Sequence, residues 1–465
     1  MRGQSEAFPL DEASIRVALE VPPVDDPALI HEILAKAREM KGLDDLDLPP
    51  LMALQNPELL HELFNAAKWV KDQIYGNRIV MFAPLYVSNL CGNECLYCAF
   101  RASNRELPRR ALDQAEIAAE VGHLLSQGHK RVVLVAGEAY PKGGLEYILS
   151  AIQTVYGVRR GGESIRRVNV NIAPLDVEDF RRLKEVEIGT YQLFQETYHR
   201  ETYAIMHPRG LKADFDWRLG CMDRAMQAGI DDVGIGALFG LYDWRFELLA
   251  IMHHARHLEA RFGCGPHTIS VPRIEPAEGS STSEAPPHAV TDGEFRKLIA
   301  ILRLAVPYTG LILSTRERPE IRREALQLGI SQISAGSRTN PGGYEEDALG
   351  GGAQFSLGDH RDLDEVVRDL AQTGFIPSFC TSCYRLGRTG SDFMDLAKPG
   401  EIKAHCHPNA LATLQEYMDD HASPATLRAA KQLLVESLEG LDGHARLLAE
   451  DMVTRVREGE RDVFC

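Results

Sequence analysis

The chain has 465 residues, with 51 lysines and arginines against 67 aspartates and glutamates, giving a formal net charge of −16. That balance favours solubility and argues against binding a nucleic-acid backbone or an anionic membrane surface. An apolar fraction of 44% is that of a folded globular protein, and the length exceeds one ordinary domain. No apolar run is long enough to span a bilayer, and the N-terminal run has no apolar signal core. Nine cysteines in such a chain therefore read as reduced thiols or metal ligands of a cytoplasmic protein.

Residues 1–77 read as a helical extension. Asp26 followed by Pro27 is a helix start, with aspartate as N-cap and proline at the first helical position. Apolar residues at helical spacing carry it over 28–40, and a second helix is expected at 57–75. From 78 to 340, strand-like apolar runs alternate with amphipathic helices. Strands are expected at 79–86, 131–135, 168–172, 190–194, 232–235, 268–272, 310–314 and 330–333. Helices such as 113–127, 214–228, 244–261 and 292–305 fit between them. Eight strands with seven intervening helices suggest an α/β fold of the (β/α)8 TIM-barrel kind; alternation alone also fits a doubly wound open sheet. Residues 341–465 change character. Asn340-Pro341-Gly342-Gly343 and Gly350-Gly351-Gly352 punctuate loops, and helices are expected at 362–373, 408–420 and 424–436. This part reads as a mostly helical C-terminal domain.

Six of the nine cysteines fall into two triads. Cys91, Cys95 and Cys98 form C-x3-C-x2-C in the run CGNECLYCAF, directly after the first expected strand. A loop there lies at the C-terminal mouth of a barrel, where such folds build active sites. An iron–sulfur cube usually takes four protein thiolates, so three leave one iron free for another ligand. Zinc would call for a fourth Cys or His close by, and none follows Cys98. Cys380, Cys383 and Cys406 form C-x2-C-x22-C. His405 and His407 flank Cys406 and keep a zinc ribbon open, although three adjacent side chains cannot all turn to one ion at a regular helix start. The loop between is rich in Gly and Arg, which suits an anionic cluster. Of the other cysteines, Cys221 and Cys264 are expected as buried spectators and Cys465 as disordered or exposed. His253, His254 and His257 share one helix with no acidic partner in view, and read as a solvated or packing face.

The loop CGNECLYCAF, with Tyr97 before its third cysteine, resembles the cluster loop of the radical S-adenosylmethionine (SAM) superfamily. LVAGEAY, with Gly137 and Glu138, resembles the segment that receives the methionine amine. FQETYHRETY, with Glu196, resembles the ribose-side segment, and VGIGALFG, with Gly234 and Gly236, the strand that approaches adenine. The tail narrows the likeness. Through NVNIAPL, GPHTISVPR, LILSTRE, SAGSRTNPGGY and CTSCYRLGRTG, residues 79–416 resemble the family of tyrosine lyases that mature [FeFe]-hydrogenase. Tyrosine lyases of thiazole synthesis resemble the barrel but lack this tail.

The resemblance implies a radical SAM (β/α)8 barrel at 78–340 between the helical extension and a helical domain at 341–465 that binds a second cluster. It implies a SAM-binding [4Fe-4S] cluster on Cys91, Cys95 and Cys98, and SAM contacted by Tyr97, Gly137, Glu138, Glu196, Gly234 and Gly236. It also implies a second [4Fe-4S] cluster on Cys380, Cys383 and Cys406, with an additional iron held by His267. Ser314 and Arg316, and more weakly Thr268 and Ser270, become candidates for substrate contacts. The implied chemistry is hydrogen abstraction from the amine of L-tyrosine by a deoxyadenosyl radical. Scission of Cα–Cβ then gives p-cresol and dehydroglycine, and dehydroglycine yields carbon monoxide and cyanide on the second cluster. The product would be an Fe(CO)(CN) synthon for the hydrogenase. An electron donor and other hydrogenase-maturation proteins would be the partners, with no nucleic acid and no membrane. Two other readings stand beside this one: a thiazole-type lyase giving dehydroglycine, and an iron–sulfur carrier or scaffold that uses the barrel for binding only.

Overall fold

The computed structural model describes residues 8–20, 26–141, 143–345 and 352–465; the N-terminal residues 1–7 and the expected punctuation at Gly350 and Gly351 lie outside them. Eight strands form the centre: β1 (Arg78–Ser88), β2 (Arg131–Ala136), β3 (Arg167–Asn171), β4 (Tyr191–Gln192), β5 (Val233–Gly236), β6 (Thr268–Ser270), β7 (Gly310–Leu313) and β8 (Gln332–Ser334). Each pairs in parallel with the next, and β1 pairs with both β8 and β2, so the sheet closes on itself. The closed ring rules out the doubly wound alternative. Strands of a parallel barrel are covered on both faces and so read as continuous apolar runs. In β1, RIVMFAPLYVS, every position but Pro84 is buried.

The connecting helices start where their caps predict. Asp113 and Glu116 make a reciprocal capping box before Gln114–Ser126, and Thr291 and Glu294 do the same for Asp292–Ala305. The helix expected over 214–228 is broken at Gly220 into Phe215–Leu219 and Cys221–Gln227. There the Arg224 guanidinium claims the carbonyls of Trp217 and Gly220, at 2.6 and 3.0 Å.

In the N-terminal extension, Asp26 accepts from the Ala28 N–H at 2.9 Å and opens Pro27–Ala37. The long helix Pro57–Tyr75 follows as expected, with two further short helices at Glu12–Leu19 and Leu48–Ala53. Helix Pro57–Tyr75 packs on Asp292–Ala305, and its Leu63, Ala67, Val70 and Ile74 join the main core. Each larger side chain among them adds about 1.5–3 kcal/mol by leaving water.

The C-terminal segment carries the expected helices Leu363–Gln372, Ile402–Asp420 and Pro424–Glu439, and among the described residues three more, Ser382–Arg385, Gly390–Ala397 and Gly443–Arg457. It also carries a strand that the sequence did not announce, β9 (Ile376–Ser378). β9 pairs in parallel with Arg78–Val80 of β1. Val80 pairs at once with Ser378 of β9 and Gln332 of β8, so β9 lies on the edge that β2 occupies further along, from Ala83 onward. The barrel wall is thus completed at its lower, N-terminal end by a piece of the tail.

Candidate functional site

The first cysteine triad sits at the upper end of the barrel, beyond the C-terminal ends of the strands. The loop after β1 is stitched down by backbone bonds: Glu94 N–H to Arg209 O at 3.1 Å, Leu96 N–H to Met206 O at 3.0 Å, and Ala102 N–H to Asn93 O at 2.8 Å. Asn93 ties it further, donating to Glu138 at 2.7 Å and accepting from the Lys212 N–H at 3.0 Å. A Cβ on Gly137 would lie 2.3 Å from the Leu90 carbonyl oxygen, so glycine is required where this loop crosses the end of β2. Cys91, Cys95 and Cys98 face one cavity, which Tyr97, Gly137, Glu138, Glu196, Ser270, Ser314 and Arg316 also line. Burial pushes all three thiols up, Cys98 to about 11. Any metal these sulfurs bound would have to displace their protons.

Below the triad lies a buried charge network. Arg218 donates to Glu138 at 2.9 Å and lies 3.5 Å from Glu196, which also takes Lys212 Nζ at 2.5 Å. Burial would raise both carboxyls; instead Arg218 beside Glu138 and Lys212 beside Glu196 hold them below the ordinary range. Sequence reasoning named the two acids and missed the two cations. Glu196 itself has φ 72°, a left-handed backbone that non-glycine residues adopt at a cost of about 1–3 kcal/mol. The next turn is clamped by Glu247, which accepts from the Thr197 hydroxyl and, at 2.8 Å, from the Tyr198 N–H. Burial pushes the Glu247 carboxyl up to about 8.

The Tyr97 hydroxyl meets His207 Nε2 at 2.8 Å, and His207 Nδ1 donates to the Tyr203 carbonyl at 2.8 Å, so the phenol is the donor. Desolvation holds His207 neutral. Gln354, which sequence reasoning also missed, bonds Tyr86 at 2.7 Å and reaches Cys98 Sγ at 3.7 Å. Gly234, Gly236 and Thr268 do not reach the cavity wall. A Cβ on Gly234 would meet Thr268 Oγ1 at 2.5 Å, and one on Gly236 would meet the Ser270 carbonyl at 2.6 Å, so these glycines serve close packing within the barrel.

The second triad occupies the opposite end. Cys380 and Cys383 follow β9, Cys406 lies in helix Ile402–Asp420, and His267 stands at the start of β6. All four line one cavity with Arg78, Arg131 and Tyr384. Arg131 also donates to the Cys380 carbonyl at 2.8 Å. The hydrogen bond with Cys383 and the Arg78 guanidinium pull the Cys406 thiol below its ordinary value against the opposing effect of burial. Arg78 Nε and Arg131 Nε are buried with no partner in the chain, which fits an anionic occupant. Cys465 is neither disordered nor fully exposed. Its N–H donates to Asn409 at 3.0 Å and its carbonyl accepts from Arg388 at 2.6 Å. Both partners also bond Ser382 Oγ, which lies 3.2 Å from Cys380 Sγ.

The histidines of helix Trp244–Phe262 do have partners. His253 pairs with Asp45 and His257 with Asp223, each at 2.8 Å, while His254 stacks on Phe8 and bonds Tyr198.

Donor spacing speaks to what the triads can hold. Ligands 2.3 Å from one zinc ion stand about 3.8 Å apart. Among the described residues, only Glu163, Asp420 and His421 bring three metal-ligand atoms within 4.8 Å of one another. In each cysteine triad at least one pair of sulfurs lies beyond that distance, so neither triad is drawn in around a single ion. His407 turns instead to Asn77, at 3.0 Å.

Residues 85–252 match the Radical SAM superfamily, and residues 270–376 match the Biotin and Thiamin Synthesis associated domain. Barrel, cluster loop and match together define a radical SAM enzyme, a class that works with a [4Fe-4S] cluster and SAM. The chain is 35% identical to the 2-iminoacetate synthase of Escherichia coli (strain K12), over 70% of this chain and 85% of that protein. It is 47% identical to a crystal structure of HydG, a maturase of the [FeFe]-hydrogenase, covering 98% of this chain and 99% of that one with a TM-score of 0.94. HydG from Carboxydothermus hydrogenoformans is 40% identical, covering 95% and 97% with a TM-score of 0.83. The chain belongs to the HydG family of [FeFe]-hydrogenase maturases.

The clamp on Glu196 gives a prediction. Glu247→Ala removes the acceptor of two buried hydrogen bonds and is expected to lower stability by about 2–3 kcal/mol. It is also expected to weaken SAM binding severalfold at unchanged iron content. Glu247→Gln, which replaces a largely neutral carboxyl by a neutral amide, is expected to keep both. Denaturant unfolding and equilibrium dialysis of SAM measure the two effects.

Proposed function

We propose that the enzyme cleaves L-tyrosine to p-cresol and dehydroglycine in the upper cavity. It then converts dehydroglycine to carbon monoxide and cyanide at the lower one, making an Fe(CO)(CN) synthon for assembly of the hydrogenase active site. The observation that carries this reading is the pair of cysteine triads at opposite ends of one closed barrel. A lyase that stopped at dehydroglycine would have no use for the lower triad.

Cys91, Cys95 and Cys98 would hold the first cluster, which together with SAM supplies a 5′-deoxyadenosyl radical. Glu138 and Glu196 offer carboxylates to the ammonium and ribose groups of SAM, with Arg218 and Lys212 keeping them ionised. Ser270, Ser314 and Arg316 stand across the cavity and suit a substrate carboxylate. The rings of Phe82, Phe100, Phe194 and Phe355 exclude water around the reacting carbons. Cys380, Cys383 and Cys406 would hold the second cluster against Arg78 and Arg131, and His267 would hold the additional iron. The reading requires an external electron donor and a receiving maturation protein. Among the described residues no helix is long and apolar enough to cross a membrane.

The test is anaerobic. Protein reconstituted with iron and sulfide is given SAM, dithionite and tyrosine. Formation of p-cresol together with carbon monoxide and cyanide is expected. Formation of p-cresol without either diatomic would assign the chain to the thiazole type, and absence of p-cresol would refute tyrosine as substrate.

A further inference from the structure

We infer that Asp232 is the positioning residue that turns the Nε2 nitrogen of His267 into the lower cavity as a metal-binding lone pair. The inference rests on the reading of His267 as a ligand of the additional iron, and deepens it.

Backbone pairing sets the two residues side by side. The His267 N–H donates to the Val233 carbonyl at 2.9 Å, and the Gly310 N–H donates to the His267 carbonyl at 3.0 Å. His267 is thus locked between the starts of β5 and β7, and Asp232 immediately precedes β5. The imidazole is buried, and its ring centroid lies 4.6 Å from that of Phe393. Its two nitrogens face different surroundings. Nε2 looks into the cavity, 3.5 Å from the Tyr384 hydroxyl, which itself bonds Thr190 at 3.0 Å. Nδ1 looks at Asp232, 3.6 Å from Oδ1.

Two unsatisfied atoms mark this contact. His267 Nδ1 and Asp232 Oδ2 are both buried without a hydrogen-bond partner in the chain. With the carboxylate 3.6 Å from Nδ1, these unmade buried bonds cost free energy that a small rotation of either group recovers. The carboxylate can only accept, so it keeps the ring proton on Nδ1 and leaves Nε2 bare. Metal-bound histidines commonly give their second N–H to a carboxylate, which fixes the ring and makes the ligating nitrogen more basic. The carboxylate is itself anchored. Oδ1 accepts from the Gly390 N–H at 3.2 Å, at the start of helix Gly390–Ala397, inside the loop that joins Cys383 to Cys406. Asp232 therefore ties the histidine to the segment that carries the second triad.

Two substitutions separate this role from a purely structural one. Asp232→Ala removes both contacts. Asp232→Asn keeps the shape and an acceptor for Gly390 but removes the charge. Each protein is reconstituted and titrated with ferrous iron beyond two cubes, with iron per chain and the EPR signals of both clusters as readouts. His267→Ala is run alongside. We expect His267→Ala and Asp232→Ala to keep both cubes and lose the additional iron. Asp232→Asn is expected to bind that iron about 10–100-fold more weakly with both cube signals intact. Wild-type iron affinity in Asp232→Asn, with loss in His267→Ala, overturns the role of Asp232. Wild-type affinity in His267→Ala overturns the ligand assignment beneath it. If Asp232→Ala fails to fold, the Asp232→Asn protein decides alone.

Discussion

Replacing Cys95 with alanine is expected to abolish 5′-deoxyadenosine formation. Cys95 is the most deeply set thiol of its loop, 5% exposed and packed with Tyr97, Met206, Leu238 and Leu241. The upper site offers three protein sulfurs, and a cube held by two is lost to solvent and chelators. The loop itself should survive, because its backbone is fastened to Met206 and Arg209 independently of any thiol. Folding measured by circular dichroism should therefore be close to wild type, with iron content reduced by one cube and SAM cleavage undetectable. Deoxyadenosine at the wild-type rate would show that the loop does not hold the SAM-binding cluster.

The complementary experiment leaves the upper site alone. A protein with Cys380→Ser and Cys383→Ser is expected to cleave SAM and tyrosine, to make p-cresol, and to release little or no carbon monoxide. The upper cavity takes nothing from residues 376–406; its contributions from the tail come from Gln354 and Phe355. Substitutions behind β9 should therefore not reach the charge network around Glu138 and Glu196. Gas-phase detection of carbon monoxide, with chromatographic p-cresol as the internal control, makes the measurement. Undiminished carbon monoxide beside normal p-cresol would remove the second cluster from the reaction.

Much of this architecture was readable in the chain because it is written locally. Strand runs such as VMFAPLYV declare a doubly covered parallel strand, and capping residues such as Asp113 and Thr291 announce helix starts. The first cysteine triad and Glu138, Glu196, Ser314 and Arg316 lie at strand ends or in loops beside them, so the register of the barrel gathers them without further information, whereas Cys406 reaches the lower cavity from helix Ile402–Asp420. What escaped is non-local. Lys212 and Arg218 are ordinary basic residues until the fold buries them against two carboxylates. Asp45 and Asp223 become partners of His253 and His257 only through helix packing. β9 has three residues with Pro377 at its centre, a sequence that signals no strand. It pairs because β1 extends below its neighbours and leaves backbone groups to satisfy. Resemblance places Gly234 and Gly236 near adenine; a Cβ at either would meet Gln192, Thr268, Phe194 or Ser270, contacts between neighbouring strands that no local pattern shows.

The placement of β9 also bears on how the protein is made. Arg78 emerges from the ribosome early, while its partner Ile376 belongs to the last fifth of the chain. Until that stretch is synthesised, the lower edge of the first strand has no hydrogen-bonding partner and Arg78 has no Cys406 beside it. Contacts between residues so far apart form late in folding. The upper cysteine loop takes its anchors at Met206, Arg209 and Lys212 from the first half of the sequence, and adds bonds from Ser280 and Gln354 later. The first anchors of the upper loop are thus available earlier in synthesis than the strand that brings the lower triad to the barrel.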